Sequence, residues 1–284
     1  MDEAISVVMP AFRAEPFIAT AVASVIGQSY PHWQLWIVSD DGLDYERVLG
    51  TGGLRDPRIR FLSTGGTATG ASRARNLALD RIETPWVAIL DADDSFLPQK
   101  LARAAAALAQ HPVVSCALDV VTESGRPLRQ VGTGPDRLLA AAEYKFVNLS
   151  MDSMILWDRR RADARYDPDL SNMTDLELLL QLWQRTPGTW HLGTPLHRYA
   201  KLSGSMSNSA GTTAGMIASK TALLQRLRSG HYRLPDAAVV GVARFLELSL
   251  AAEQSFPAAL AAQPGLLFED HLEPLLRAAS TASA

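Results

Sequence analysis

The chain has 284 residues, of which 47% are hydrophobic and 20% charged, and its formal net charge is −3. That length is enough for one large core or two intimate halves, and the near-balanced charge gives no electrostatic reason for nucleic acid or an anionic surface as an obligatory partner. Cys116 is the only cysteine, which excludes an intrachain disulfide. Within the apolar stretch 113–118 it reads as core filler rather than nucleophile. The acidic start Met1-Asp2-Glu3 lacks the pattern of a secretory leader, and no apolar run approaches the roughly 20 residues of a membrane span. The expectation is a cytoplasmic, reducing location.

In chain order, Ile5 to Met9 is a β-branched apolar run closed by Pro10. Phe17, Ile18, Ala21, Val22, Val25 and Ile26 then recur at helical spacing. Leu35 to Val38 is a second strand ending in Ser39-Asp40-Asp41-Gly42, and Arg58 to Leu62 is a third. A Gly/Thr/Ser loop from Thr64 to Ser72 feeds a helix over about 71–81, and Trp86 to Leu90 is a fourth strand. Repeated βα units argue for a mostly parallel sheet with right-handed crossovers. Pro98 marks the start of a helix with a stripe of Leu101, Ala104, Ala105 and Leu108. Strands at 113–121 and 129–131 flank a turn at Glu123-Ser124-Gly125. Leu176, Leu179, Leu180 and Trp183 predict a helix over 174–185, followed by an extended stretch from Trp190 to Tyr199. Residues 203–215 read as a mobile loop, and three helices follow at about 214–228, 235–255 and 265–279.

The most informative feature is Asp91-Ala92-Asp93-Asp94, three carboxylates in four positions at the end of an apolar run. Ligands of open α/β sheets bind beside such strand ends. Carboxylates this crowded need a cation, donors or a proton to relieve them, and a divalent metal carrying a diphosphate would do so. Asp94 or Ser95 also reads as a cap for the helix at Pro98. Asp40-Asp41-Gly42 has a plain reading as an easy turn. Arg73, Arg75 and Asn76 sit near a helix start, where free N–H groups favour anions, so cations there suggest an anionic partner. Arg73 reads equally well as solvated. Thr174-Asp175-Leu176-Glu177 is a capping box in form, with Thr174 as cap and Glu177 reaching back.

In this order, residues 5–12, Ser39-Asp40-Asp41-Gly42, Ala74-Arg75-Asn76 and Asp91-Ala92-Asp93-Asp94 resemble the signatures of family 2 glycosyltransferases. The resemblance covers about 5–110 well and 150–207 loosely. It implies an α/β GT-A (Rossmann-like) fold, a mostly parallel sheet flanked by helices with a C-terminal helical extension. Residues 1–95 would form the donor-binding half, 96–210 the acceptor-binding half and 211–284 the helical region.

The implied activity is inverting transfer of a sugar from a UDP-sugar to an acceptor hydroxyl in glycan, polysaccharide or glycolipid synthesis, assisted by Mn or Mg. Donor contacts fall on Pro10, Ala11, Phe12, Glu15, Asp41, Arg75, Asp91, Ala92 and Asp93. Asp41 would accept the uracil imide N–H, Asp93 with Asp91 would take the metal, and Asp175 would be the general base. Phe12 stands where a Tyr is common, Leu43 and Thr174 depart from the family pattern, and Ala200 and Leu202 replace an expected Arg and His. Arg198 or Lys201 would supply charge there, and His191 and His197 read as structural or surface residues.

Peripheral membrane association and homo-oligomers through the C-terminal helices stay open. The rival readings are a catalytically degenerate nucleotide-sugar-binding module and a nucleotidyltransferase. The second is disfavoured because Pro10-Ala11-Phe12-Arg13 stands where a glycine-rich phosphate loop would be.

Overall fold

The computed structural model describes residues 3–147, 151–201 and 212–281. Ten strands form one sheet: β1 (Ile5–Ala11), β2 (Trp33–Ser39), β3 (Ile59–Ser63), β4 (Trp86–Ile89), β5 (Ser95–Phe96), β6 (Val113–Thr122), β7 (Pro127–Val131), β8 (Arg137–Ala140), β9 (Ile155–Asp158) and β10 (Gly188–Lys201). Their order is β3-β2-β1-β4-β9-β6-β10-β5, with β7 beside β6 and β8 beside β10. Strands β3, β2, β1 and β4 are parallel, β9 runs antiparallel between β4 and β6, and β10 is parallel to β6.

The helices are α1 (Ile18–Ile26), α2 (Tyr45–Thr51), α3 (Ala71–Leu79), α4 (Lys100–Leu108), α5 (Thr174–Leu182), α6 (Thr212–Arg228), α7 (Asp236–Ala262) and α8 (Phe268–Thr281). They cover both faces of the sheet. Ile5, Val7, Met9 and Ala11 of β1 join a core with α1 and α4, whereas Val8 joins a second core with α3, α5 and the C-terminal helices. Burial of both faces explains why β1 and β4 read as unbroken apolar runs.

The expected α/β sheet with a C-terminal helical extension is therefore present. Four short helices and strands escaped the sequence reading, α2, β5, β8 and β9, as did the 3₁₀ turns Tyr144–Val147 and Asp152–Met154. Helix α2 is capped by Asp44, which accepts from Arg47 N at 2.9 Å. The helix expected at Pro98 begins at Lys100, without a side-chain cap. The predicted loop 203–215 is corrected at its end, because 212–215 are the first turn of α6; residues 202–211 lie outside the described residues. The C-terminal helices pack on the sheet domain: Lys201 of β10 pairs with Glu269 of α8 at 2.8 Å, and Arg129 of β7 with Asp270 at 2.9 Å. Among the described residues no helix is long and apolar enough to cross a membrane.

Candidate active site

Parallel register brings three loops to one edge of the sheet. Ala11 is level with Ser39 and Val8 with Ile89, so the chain leaves β1, β2 and β4 at the same end. Pro10, Ala11 and Phe12 meet there, with Phe12 41% exposed and Glu15 exposed beyond it. Arg13 adopts φ 52°, a left-handed conformation that costs a non-glycine residue free energy. It is held by donation of its N–H to Asp41 Oδ2 at 2.6 Å, and its guanidinium lies 5.0 Å from the Phe12 ring centroid.

The two aspartates after β2 have separate tasks. Asp40 organises the 64–70 loop: Oδ1 accepts from the Thr64 and Thr69 hydroxyls at 2.7 and 2.6 Å, and Oδ2 accepts from Gly70 N at 2.9 Å. Gly70, at φ 105°, starts α3, so Asp40 sets the helix that carries Arg75. Asp41 ties the first loop to the second. Its Oδ1 accepts from Ser39 Oγ and Leu43 N, and its Oδ2 from Arg13 N and Tyr45 Oη. Burial pushes both carboxyls up, but the summed hydrogen bonds outweigh it and hold both below the usual carboxylate range. A carboxylate offers about four acceptor positions, and those of Asp41 are taken. The imide contact expected of Asp41 therefore requires one of these donors to swing away. A cavity of about 330 Å³ opens on the β2–β3 side of this turn, lined by Ser39, Gly42, Tyr45, Phe61 and Ser63 and by neither Asp91 nor Asp93.

At the end of β4 the three carboxylates diverge. Asp91 pairs with Arg75 Nη2 at 2.7 Å, accepts from Ser153 Oγ at 3.2 Å and donates its N–H to the same hydroxyl at 3.0 Å. Asp93 has no cationic partner among the described residues, and burial with the neighbouring Asp91 charge pushes it up to about 6. The cap expected of Asp94 is corrected: Asp94 is buried, meets His197 Nε2 at 3.0 Å and accepts from Ala200 N at 3.0 Å. Burial raises its carboxyl well above the usual range, and burial lowers His197 well below its own. Both shifts favour neutral partners, so Asp94 is a strut between the acidic loop and β10 rather than a third charge. Ser95 belongs to β5 and caps nothing. His191 is likewise structural, between Ser115 Oγ at 2.9 Å and the Gly132 carbonyl at 2.6 Å, and Cys116 is fully buried.

Arg75 is 5% exposed and turned inward. Its second branch meets Asp152 Oδ2 at 2.9 Å, and the Thr174 hydroxyl donates to that oxygen at 2.9 Å. Burial opposes the guanidinium charge, but Asp152 and Asp91 outweigh it and hold Arg75 protonated. The capping box expected at Thr174 does not form. Met173, at φ 59°, precedes α5 without a side-chain cap, and Glu177 accepts instead from Gln181 at 2.8 Å and Tyr232 at 3.2 Å. Asp175 is buried and ion-paired, Oδ2 to Lys145 Nζ, at 2.8 Å.

Asp152, Ser153 and Lys145 were missed by sequence reasoning. Lys145 and Asp152 sit in short 3₁₀ turns, which show no useful periodicity. The signal available for Asp152 and Ser153 was β9 itself. Because Ala88 pairs with Leu156 in antiparallel register, residues just before β9 must adjoin those just after β4.

The donor set suits a hard divalent cation. Asp93 is a carboxylate left unrelieved beside another, while among the described residues no group of three or more His, Cys, Asp and Glu is arranged to hold a metal by itself. A cation here would rest on one or two carboxylates and take further oxygens from a ligand, as Mg²⁺ and Mn²⁺ do.

A sheet of this order carries an acid pair at the end of an inner parallel strand, joined through Arg75, Asp152 and Thr174 to the head of a helix that bears another acid. The family model of glycosyl transferase family 2 matches residues 6–160, and the chain belongs to that family. It is 28% identical over 217 residues, 72% of this chain and 81% of the relative, to TuaG of Bacillus subtilis (strain 168), a glycosyltransferase named for teichuronic acid biosynthesis. It is 38% identical over 102 residues, 35% of this chain and 39% of the relative, to the Escherichia coli UDP-Glc:alpha-D-GlcNAc-diphosphoundecaprenol beta-1,3-glucosyltransferase WfgD. Among solved structures, residues 1–349 of S. aureus TarS in complex with UDP-GlcNAc align at TM-score 0.69 and 16% identity, covering 96% of this chain and 79% of TarS 1–349. The Pyrobaculum calidifontis mannosyltransferase PcManGT, with GDP-Man and Mn²⁺, aligns at TM-score 0.57 and 17% identity, covering 100% of this chain and 81% of that one. At these identities the structural likeness speaks for the fold.

Proposed function

We propose that this glycosyltransferase moves a sugar from a UDP-sugar to an acceptor hydroxyl, with inversion, in the assembly of a cell-surface polysaccharide or glycolipid. The observation that carries the reading is an unbroken run of contacts from Asp91 through Arg75 and Asp152 to Thr174, at 2.7, 2.9 and 2.9 Å. That run links the strand-end carboxylates to the head of α5, where Asp175 lies.

In this reading residues 1–95 form the donor half and 96–210 the acceptor half. Phe12 offers its exposed ring to the base. Asp41 keeps the first two loops together and accepts from the pyrimidine when one of its donors moves. Arg75 acts on the donor indirectly, by fixing Asp91. A divalent metal, Mn or Mg, held by Asp93 with Asp91 would neutralise the departing diphosphate. Asp175 takes the proton of the acceptor hydroxyl as its oxygen attacks the anomeric carbon from the face opposite the diphosphate, which is what produces inversion. The proton remains on the carboxyl until product leaves, a general-base contribution of about 10²–10⁴ in rate.

A second reading, a nucleotide-sugar-binding module without turnover, is favoured by the Lys145–Asp175 pair, which occupies one oxygen of the base. A thermal-shift panel of UDP, UDP-GlcNAc, UDP-Glc and GDP-Man with and without Mn²⁺ separates the donors, because ligands that bind the native state raise its melting temperature. A response to the guanosine nucleotide only would overturn UDP as the donor base. With the responding donor, Asp175→Asn should lose at least 100-fold in kcat and keep UDP affinity within about twofold. Unchanged turnover would sink the base assignment, and donor binding without turnover by the wild type across an acceptor panel would favour the module.

A further inference from the structure

Lys145 is 2% exposed and lies in the 3₁₀ turn Tyr144–Val147. Its Nζ binds Asp175 Oδ2 at 2.8 Å, so the ion pair engages one oxygen and leaves Oδ1 as the oxygen to take a proton. Part of what holds this turn in place comes from α7, beyond residues 6–160 matched by the family model. Gly241 of α7 sits so close to Ala142 that an added Cβ would lie 2.5 Å from both its Cα and its carbonyl oxygen. One helical turn further on, the Phe245 ring packs edge-on against Phe146 at 6.4 Å and lies 5.5 Å from Lys145 Nζ. On the other side Tyr144 packs edge-on against Trp183 at the end of α5. The helix behind the turn is itself anchored by a buried ion pair, Lys220 of α6 with Glu253 of α7 at 2.6 Å. The turn is therefore clamped between the helix that bears the base and the C-terminal helices.

We infer that Lys145 is a positioning residue for Asp175, and that the Gly241–Ala142 contact makes α7 part of the device that aims the general base. The inference rests on the assignment of Asp175 given under the proposed function. An acidic side chain at the start of a helix swings freely unless something pins it, and a misplacement of about 1 Å in a reacting group costs about 10²-fold in rate. The ammonium pins Oδ2, and the backbone-to-backbone seat of α7 keeps the ammonium from drifting. The proposed function places donor binding at the strand ends of β1, β2 and β4 and gives Lys145 no part in it.

The test is steady-state kinetics with the responding donor, together with calorimetric UDP·Mn²⁺ binding, on Lys145→Gln, Lys145→Arg and Gly241→Ala. Lys145→Gln should lose about 100-fold in kcat with UDP affinity within about twofold. Lys145→Arg, which restores a cation, should recover to within about tenfold of wild type. Gly241→Ala keeps every charged group, yet should show the same split between lost kcat and retained donor affinity. Wild-type kcat in Lys145→Gln overturns the inference; if that variant does not fold, wild-type kcat in folded Gly241→Ala overturns it instead. An inactive Asp175→Asn beside a fully active Lys145→Gln sinks this inference alone, whereas an active Asp175→Asn sinks the base assignment beneath it.

Discussion

Arg75→Met removes a buried guanidinium and keeps much of its apolar stem, and the two carboxylates it serves lose unequally. The Asp91 side chain is 28% exposed and is rehydrated, so its share of the loss is about 1 kcal/mol or less. The Asp152 side chain is 10% exposed, and leaving a buried charge without its counter-ion costs about 3–5 kcal/mol. The expected destabilisation at pH 7.5 is therefore about 4 kcal/mol. Protonation is the escape. Burial already pushes the Asp152 carboxyl above its unfolded value of 3.8, and Arg75 is the group that pulls it back. Without Arg75 the carboxyl rises further.

An acid with a raised folded pKa costs nothing below its unfolded value, and its penalty grows as pH rises through the interval between the two. Acidification should therefore shrink the deficit of the variant, to about 1–2 kcal/mol at pH 5. Urea unfolding followed by circular dichroism at the two pH values reads the difference directly. Thermal midpoints should fall by roughly 8–16 °C at pH 7.5, taking about 2–4 °C per kcal/mol for a chain of this size. A midpoint equal to wild type, or a deficit that is no smaller at pH 5, would refute the account of Arg75 as the counter-ion of a buried carboxylate.

Asp93→Ala should abolish the Mn²⁺-dependent part of UDP binding, a loss of at least about 100-fold by calorimetry, while leaving the metal-independent part intact; an unaltered isotherm would contradict its assignment. His197→Leu removes one of the partners of buried Asp94 and should destabilise the fold by about 1–3 kcal/mol in urea titration. Because Asp94 is the strut of the acidic loop, the same variant should also weaken Mn²⁺-dependent UDP binding, and unchanged stability would show that the contact carries no weight.

Much of residues 1–95 was legible because the features involved are local. The runs at 5–9 and 86–90 read as strands since both of their faces are buried, and the polar residues that follow them mark where those strands end. The stripes of α1, α4 and α5 followed from helical spacing for the same reason. Side-chain partners were a different matter. Asp94 and Thr174 each fitted a helix-cap pattern that was locally correct in form, and each was drawn instead to a distant partner, His197 and Asp152 respectively. Asp152 itself carries no local signal, and its place in the site depends on β9 lying antiparallel to β4.

By itself, then, the sequence determined the class of fold, the order of the loops along one sheet edge and the residue types gathered there. Periodicity and strand-end chemistry are properties of short stretches of chain, and they survive without knowledge of the rest. Only the tertiary structure decided how the carboxylates are partnered: Asp93 left without a cation among the described residues, Asp91 held by Arg75, Asp94 joined to His197 and Asp175 paired with Lys145. The physical reason is desolvation. A buried charged or polar group must find a partner wherever the fold brings one, and here those partners lie 77 residues away for Arg75 and Asp152 and 103 for Asp94 and His197.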